Sequence, residues 1–532
     1  MKIRDAFYSL LRVHDIKTIF GNPGSNELPF LSNFPSDFKY ILGLQEGGVI
    51  AMADGYSMAK NMPSLVNIHA AAGTGNAMGN LTNAQASKSP IIITSGQQAR
   101  RYISLNALLT NVDSTTLVKP LVKWSSEPSR PKDVPHALSS AIFNSTTEPS
   151  GPVYLSIPLD DWEHEVDINS LQLLKNRTLC GNPVVDNDVI VNLSKKLSAA
   201  KNPVMILGPQ VDNYLGWQGA ISLSEKLCLP VFIAPSPSRC PFPTKHHNYL
   251  GILPSGIQDV AEKLSEYDFI ISFGTAIFRY HEYQEGDYLY SNSELWAITS
   301  DPDEGSRSPV GNVIIGETSD ALFRISEIVE PTKDYVCINP PTEDANSDYL
   351  DLARYSSEGF SKEDILDAIS YAKKNDTIIV NEWTSSDNCW DRLDISQPGS
   401  LFFPAAGGLG WGLPAAIGFQ IGCADRRVIA ILGDGAFQYS ISALWTAAKY
   451  NIPVVFIVAN NSCYGALHKF STLMDKSGIP GLDIPNIDIL NIASGYGINS
   501  KRVNSLYDFV TTIKSALEAN KPFLIEITQK DW

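Results

Sequence analysis

Two stretches, Val428-Ile-Ala-Ile-Leu-Gly-Asp-Gly435 and Pro453-Val-Val-Phe-Ile-Val-Ala-Asn-Asn461, decide the fold. Each begins as an unbroken apolar run of strand length, which reads as a strand of a parallel sheet covered by helices on both faces. Each ends in side-chain oxygens: Asp434 between two glycines, then the amides of Asn460 and Asn461. Ligands of open α/β sheets bind beyond the carboxyl ends of the strands, so these oxygens fall where a ligand would lie. A carboxylate, an amide oxygen and a backbone carbonyl, here Asp434, Asn461 and Cys463, suit Mg²⁺, and Gly433 and Gly435 let the backbone approach a diphosphate bridged by that ion. By itself Gly-Asp-Gly is a turn; the Asn-Asn pair ending the next strand is what points to metal and phosphate.

Similar runs recur at Leu65–Ile68, Pro90–Thr94, Pro152–Ile157, Pro203–Leu207, Asp268–Phe273, Asp376–Val380 and Phe523–Ile527, separated by helix-length stretches. The full 532 residues suit about three domains of ordinary size. Polar or proline-bearing breaks around 160–188 and 330–348 set the expected boundaries near 180 and 342. The expectation is therefore an α/β protein with domains 1–180, 181–341 and 342–532, each an open, mostly parallel sheet flanked by helices.

A net charge of −16 without any Lys/Arg-rich run argues against nucleic acid and anionic membrane as partners. The start, Met1-Lys-Ile-Arg, lacks a signal-type apolar segment and no run approaches membrane length, so a cytoplasmic address is expected. Seven scattered cysteines without a Cys-x-x-Cys pair read as small buried hydrophobes in a reducing compartment.

The amino-terminal third holds a second constellation. Phe20-Gly-Asn-Pro-Gly-Ser25-Asn-Glu27 is a turn after a short strand that displays a hydroxyl and a carboxylate. The run Tyr40–Leu44 ends in Gln45-Glu46 before a helical stretch, where a carboxylate is either a helix-start charge or a catalytic group. His69 ends another strand and opens Gly73-Thr-Gly75-x-x-x-Gly79, which mimics a dinucleotide-binding turn but serves close packing equally well.

The Gly-Asp-Gly and Asn-Asn pairing resembles the motif of thiamine-diphosphate enzymes. The chain as a whole resembles their benzoylformate decarboxylase family through Gly21–Phe30, His69 with its glycines, Ala107–Asp113, Pro120–Trp124, Arg239–Thr244, Phe278–His281, Ala405–Gly410, Tyr439–Ala448, Asn460–Phe470 and Pro480–Pro485. The resemblance implies thiamine diphosphate and Mg²⁺ as cofactors, and a pyrimidine-binding, a central Rossmann-like and a diphosphate-binding domain. It implies Glu46 as the pyrimidine's carboxyl partner, Gly407 as acceptor of its amino hydrogen, and Leu409 as the wedge that bends the cofactor. Thr384, Ser385, Asp434, Gly435, Ala436, Tyr439, Asn461, Tyr464 and Gly465 would complete the cofactor site, with Asp434, Asn461 and the Cys463 carbonyl on the metal.

The same likeness assigns proton transfer to His69 and His281 and substrate-carboxylate binding to Ser25, with Leu108, Leu109, Phe403, Ala466, Leu467 and Phe470 walling the side-group pocket. The implied reaction is the non-oxidative decarboxylation of an aromatic 2-oxo acid to an aldehyde and carbon dioxide. A carboligase of the same superfamily is the rival reading. The resemblance also implies a cofactor lying between two chains, which makes a homodimer the minimum and a homotetramer the expected assembly. The chain departs from the family at Pro404 (cysteine in the family), at Ala436 (serine), and in a 382–387 segment one residue shorter.

Overall fold

The computed structural model describes residues 1–331 apart from 180, 276 and 291, together with 352, 355, 356, 358–386 and 389–530. Three six-stranded sheets succeed one another within residues 18–158, 203–315 and 378–528. Every registered strand pair in them is parallel. Strands such as Ser64–Ile68, Pro203–Leu207 and Ile378–Glu382 are buried along their whole length, as apolar runs covered on both faces must be. The expected α/β class is thus observed. The expected boundaries at 180 and 342 lie outside the described residues.

Numbered in chain order within each sheet, the strands lie 2-1-3-4-6-5 in the first and third sheets and 6-5-4-1-2-3 in the middle one. The middle order is that of a Rossmann domain. The other two have a switch point between strands 1 and 3, where the connections leave in opposite directions and a crevice opens at the carboxyl ends. In the first sheet Ser25 follows strand Thr18–Asn22, Glu46 follows Lys39–Leu42, and His69 follows Ser64–Ile68. In the third sheet Thr384 and Ser385 follow Ile378–Glu382, Gly407 and Leu409 follow Leu401–Phe402, Asp434 follows Val428–Gly433, and Asn461 follows Val455–Asn460. The two outer domains present these residues from equivalent places.

A single apolar cluster, including Phe20, Ile41, Val49, Trp411, Phe419 and Val428, runs through both outer domains. Helices Glu46–Lys60 and Gly412–Gly422 join them by crossing with glycines at their closest approach. A Cβ on Gly418 would stand 1.9 Å from the Met52 carbonyl oxygen, and one on Gly55 would stand 2.3 Å from that of Ala415. Gly418→Val should therefore force the helices apart and lower stability by about 1–3 kcal/mol, the range for overpacked cores, read as a reduced midpoint of thermal or urea unfolding.

The cysteine expectation is corrected at one position: Cys228 is disulfide-bonded, while Cys240, Cys423 and Cys463 are free. Scattered spacing carries no signal for a bond between residues remote in sequence. Among the described residues, no helix is long and apolar enough to cross a membrane.

Candidate active site

Parallel pairing places Gly433 opposite Ala459, bringing Asp434 and Asn461 to adjoining strand ends. The Asp434 carboxylate is 3% exposed and accepts hydrogens from its neighbour Gly435 N (2.9 Å) and, across the gap between strands, from Ser462 N (2.8 Å). Burial pushes its carboxyl up to about 6 against the pull of those amides, and the charged neighbour acting on it, Glu526, has the same sign. A buried carboxylate facing a like charge suits a divalent cation, and Asn461 at the adjoining strand end offers an amide oxygen, which here accepts from Cys463 N at 3.3 Å. Gly435 is needed here, because a Cβ would fall 2.7 Å from the Tyr464 ring.

Glu46 opens the helix Glu46–Lys60, yet the capping is done by Gln45, whose side chain accepts from Gly48 N at 2.9 Å. That leaves the Glu46 carboxylate to other partners. Its oxygens accept from the side-chain amides of Asn22 and Asn76, each at 3.0 Å, with Asn22 ending the first strand and Asn76 on the helix Ala70–Ala86. The absence of a side chain at Gly73 makes room for this group: a Cβ there would come within 3.1 Å of it. Glycine at 73 thus serves the carboxylate, and the expected glycine-rich turn is instead the start of the helix Ala70–Ala86.

His69 meets a partner that the sequence reading left unassigned. Its Nδ1 lies 2.8 Å from Oε2 of Glu27, whose side chain is wholly buried. Glu27 also accepts from Gly24 N (2.9 Å) and Gly96 N (2.8 Å), so its oxygens are acceptors and the hydrogen between the pair belongs to Nδ1. This fixes the imidazole with Nε2 free, and the ring remains one-fifth exposed at the crevice. Ser25 heads the short 3₁₀ turn that ends in Glu27 and is exposed.

On the third sheet, a cavity of about 550 Å³ gathers Thr384, Ser385, Phe403, Gly407, Gly465, Ala466 and Phe470, along with His281 from the middle domain. The His281 ring meets the Phe470 ring edge to face at 4.7 Å, and His281 N donates to Ser255 O at 2.9 Å. Ser386 is turned away, buried with its hydroxyl donating to Trp383 O (2.7 Å), so of these three neighbours Thr384 and Ser385 line this space. Pro404 also lines it.

The loop bearing Gly407 and Leu409 is held from three domains. Arg279 of the middle domain donates to Ala405 O, and Asn83 of the helix Ala70–Ala86 donates to Gly408 O (2.8 Å). From within its own domain, fully buried Glu382 accepts from the amides of Gly410 (2.6 Å), Trp411 (3.3 Å) and Gly412 (2.6 Å). Burial raises the Glu382 carboxyl to about 8, the three amides opposing that rise. Asp54, on the helix that begins at Glu46, accepts from Trp411 Nε1 at 2.7 Å and from the Ser89 hydroxyl, and burial raises it to about 6.

Not every expected residue meets in one chain. Ser25, Glu46, His69, Leu108, Leu109, Leu409, Tyr439 and Leu467 do not line the cavity, nor do Asp434, Gly435, Ala436, Asn461, Cys463 and Tyr464. The expected wall residues Leu108 and Leu467 are 85% and 49% exposed, so the apolar wall is open on this side. Sequence reading missed Glu27, Asn22, Asn76 and Glu382; Glu27 was visible in its motif, but its pairing with His69 was not.

Three family models match in order along the chain. They are the N-terminal TPP binding domain, the central domain and the C-terminal TPP binding domain of thiamine pyrophosphate enzymes, over residues 1–117, 190–324 and 386–527. A benzoylformate decarboxylase of Pseudomonas aeruginosa is 45% identical over 99% of this chain and 98% of its own length. Among solved structures, a thiamine diphosphate-dependent 4-hydroxybenzoylformate decarboxylase of Rhodococcus jostii superposes with a TM-score of 0.96 at 44% identity, covering 100% of both chains. The benzoylformate decarboxylase of Polynucleobacter necessarius does so with a TM-score of 0.93 at 34% identity, covering 99% of this chain and 98% of that one. With the paired switch-point crevices and matches that run from end to end, the chain belongs to the thiamine pyrophosphate enzymes and, among them, to the benzoylformate decarboxylase family.

Proposed function

We propose that this chain decarboxylates an aromatic 2-oxo acid of the benzoylformate type to an aldehyde and carbon dioxide, in a site completed by a second copy of itself. The observation that carries the reading is the division of the site. The cavity of one chain gathers the 384–385 hydroxyls, the Gly407 loop and the His281–Phe470 wall, while Glu46, His69 and Ser25 lie outside its lining. Exposed apolar side chains at Leu105, Leu108 and Val112 on one half, and at Leu467 and Leu473 on the other, are what an interface between copies would cover. A dimer is the smallest assembly that closes both halves, and a tetramer is a pair of such dimers. A cytoplasmic address accords with the charge and composition.

Asp434, Asn461 and the Cys463 carbonyl would hold Mg²⁺ against the diphosphate, beside Thr384 and Ser385. Bound thiamine diphosphate supplies a nucleophilic carbon and a sink for the electron pair left when carbon dioxide departs. Glu46 holds or releases the proton at the pyrimidine N1′, a task for which two asparagines position its carboxylate without neutralising it. His69 presents Nε2 as base, then acid, to the substrate oxygen, because Glu27 keeps the hydrogen on Nδ1. His281, in the cavity beside Phe470, would deliver the proton that replaces the lost carboxyl. Ser25 donates to the substrate carboxylate.

Incubation with thiamine diphosphate, Mg²⁺ and benzoylformate tests this. Carbon dioxide and benzaldehyde in equal amounts are expected; acyloin as the main product would move the chain to the carboligases. The aryl pocket has its own test in Ala466, which lines the cavity beside Phe470. Ala466→Ile should raise KM for benzoylformate about tenfold, the equivalent of overfilling a packed space, while a short aliphatic 2-oxo acid is affected less.

A further inference from the structure

The helix Ala70–Ala86 turns two buried asparagines toward backbone that belongs to both halves of the site. Asn83, wholly buried, donates from Nδ2 to Gly408 O (2.8 Å) and accepts at Oδ1 from Ala406 N (3.1 Å) and Gly408 N (3.3 Å). Three bonds from one amide thus fix the turn at Gly407, whose φ of 72° lies in the left-handed region. Asn80, 8% exposed, sends Nδ2 to Gly47 O (3.0 Å) and to Gly410 O (3.3 Å), and its Oδ1 accepts from Asn83 Nδ2 (3.3 Å). Gly47 adjoins Glu46, and Gly410 closes the loop that carries Gly407 and Leu409.

We propose that Asn80 and Asn83 are positioning residues for the cofactor: Asn83 sets the turn that receives the aminopyrimidine, and Asn80 splices that turn to the start of the Glu46 helix. This rests on the thiamine diphosphate reading above. A loop rich in glycine has many conformations to lose on binding, and bonds that hold it in one arrangement beforehand remove that loss from the binding free energy. The two asparagines act on different ends. Asn83 touches the loop and Asn80, whereas Asn80 also touches the backbone beside the proton-transferring carboxylate.

The test is titration of apo-protein with thiamine diphosphate at fixed Mg²⁺, followed by tryptophan fluorescence or calorimetry. It is joined by single-turnover measurement of deuterium exchange at the cofactor C2 once the protein is saturated. Asn83→Ala should bind cofactor about tenfold more weakly, as loss of a buried hydrogen-bonding partner predicts, with exchange at saturation within about threefold of wild type. Asn80→Ala should weaken binding and also slow exchange by about tenfold, because Glu46 loses its support. A purely architectural role would lower the melting midpoint of both variants and leave Kd and exchange at saturation unchanged, and that result overturns the inference. So does wild-type affinity in both variants. Should Asn83→Ala not fold, the nearly isosteric Asn83→Asp, which cannot donate to Gly408 O, answers the same question with the same expected weakening. If wild-type protein takes up no cofactor, the functional reading itself fails, an outcome distinct from equal binding by wild type and variants.

Discussion

Glu46→Gln is expected to lower turnover of benzoylformate by about 10²–10⁴, the usual loss when a positioned proton-transfer group is removed, while the protein still takes up thiamine diphosphate. Glutamine preserves the shape and can still accept from Asn22 and Asn76, so the pocket and the helix start remain as they are. What it cannot do is exchange a proton with N1′. The local structure argues that helix capping is not the function of this carboxylate, since Gln45 already caps the helix. The measurement is kcat with cofactor occupancy determined separately. Wild-type turnover would remove Glu46 from the chemistry, and loss of cofactor uptake would mean that its role is binding alone.

The second large effect is expected at His69. His69→Ala should cost about 10²–10⁴ in kcat/KM, with cofactor binding unchanged, the usual loss for a positioned proton-transfer group. The Glu27 contact sharpens the expectation. Glu27→Gln still fills the space beneath Gly96, where a Cβ would be 2.2 Å from the carboxyl oxygen. It no longer forces the hydrogen onto Nδ1, so the orientation of Nε2 is held less firmly. Turnover should fall by a smaller factor than in His69→Ala. Wild-type kcat/KM in Glu27→Gln would show that the contact is only structural.

Much of this was legible in the sequence, for a local reason. Parallel strands buried on both faces write themselves as short apolar runs, and a residue that ends such a run lies at the ligand-binding edge of its sheet. Asp434, Asn461 and His69 could be placed there without coordinates. Glu27 could not be paired with His69, because the contact spans 42 positions and exists only since the first and third strands lie side by side, with Asn22 opposite Ile68. Glu382 read as one more residue at a strand end, yet it anchors the amides of 410–412. Its partners are brought to it by the loop's return from the adjoining strand, which no run of residues records. The proposed sharing of the site between two chains rests on family likeness, as does the choice of His281, which stands on a middle-domain loop far from the other groups in sequence. The Cys228 disulfide left no trace in spacing, and the wall residues Leu108 and Leu467 prove open to the surface of a single chain.

The most direct test of a site shared between copies is a mixed assembly. Glu46→Gln and Asp434→Ala chains, each inactive by itself, are co-expressed under different tags and their hybrid recovered. In the hybrid dimer one centre carries both defects and the other carries neither, so a random mixture should regain about a quarter of wild-type activity. Activity no higher than the sum of the two parents would contradict a carboxylate acting across the subunit boundary.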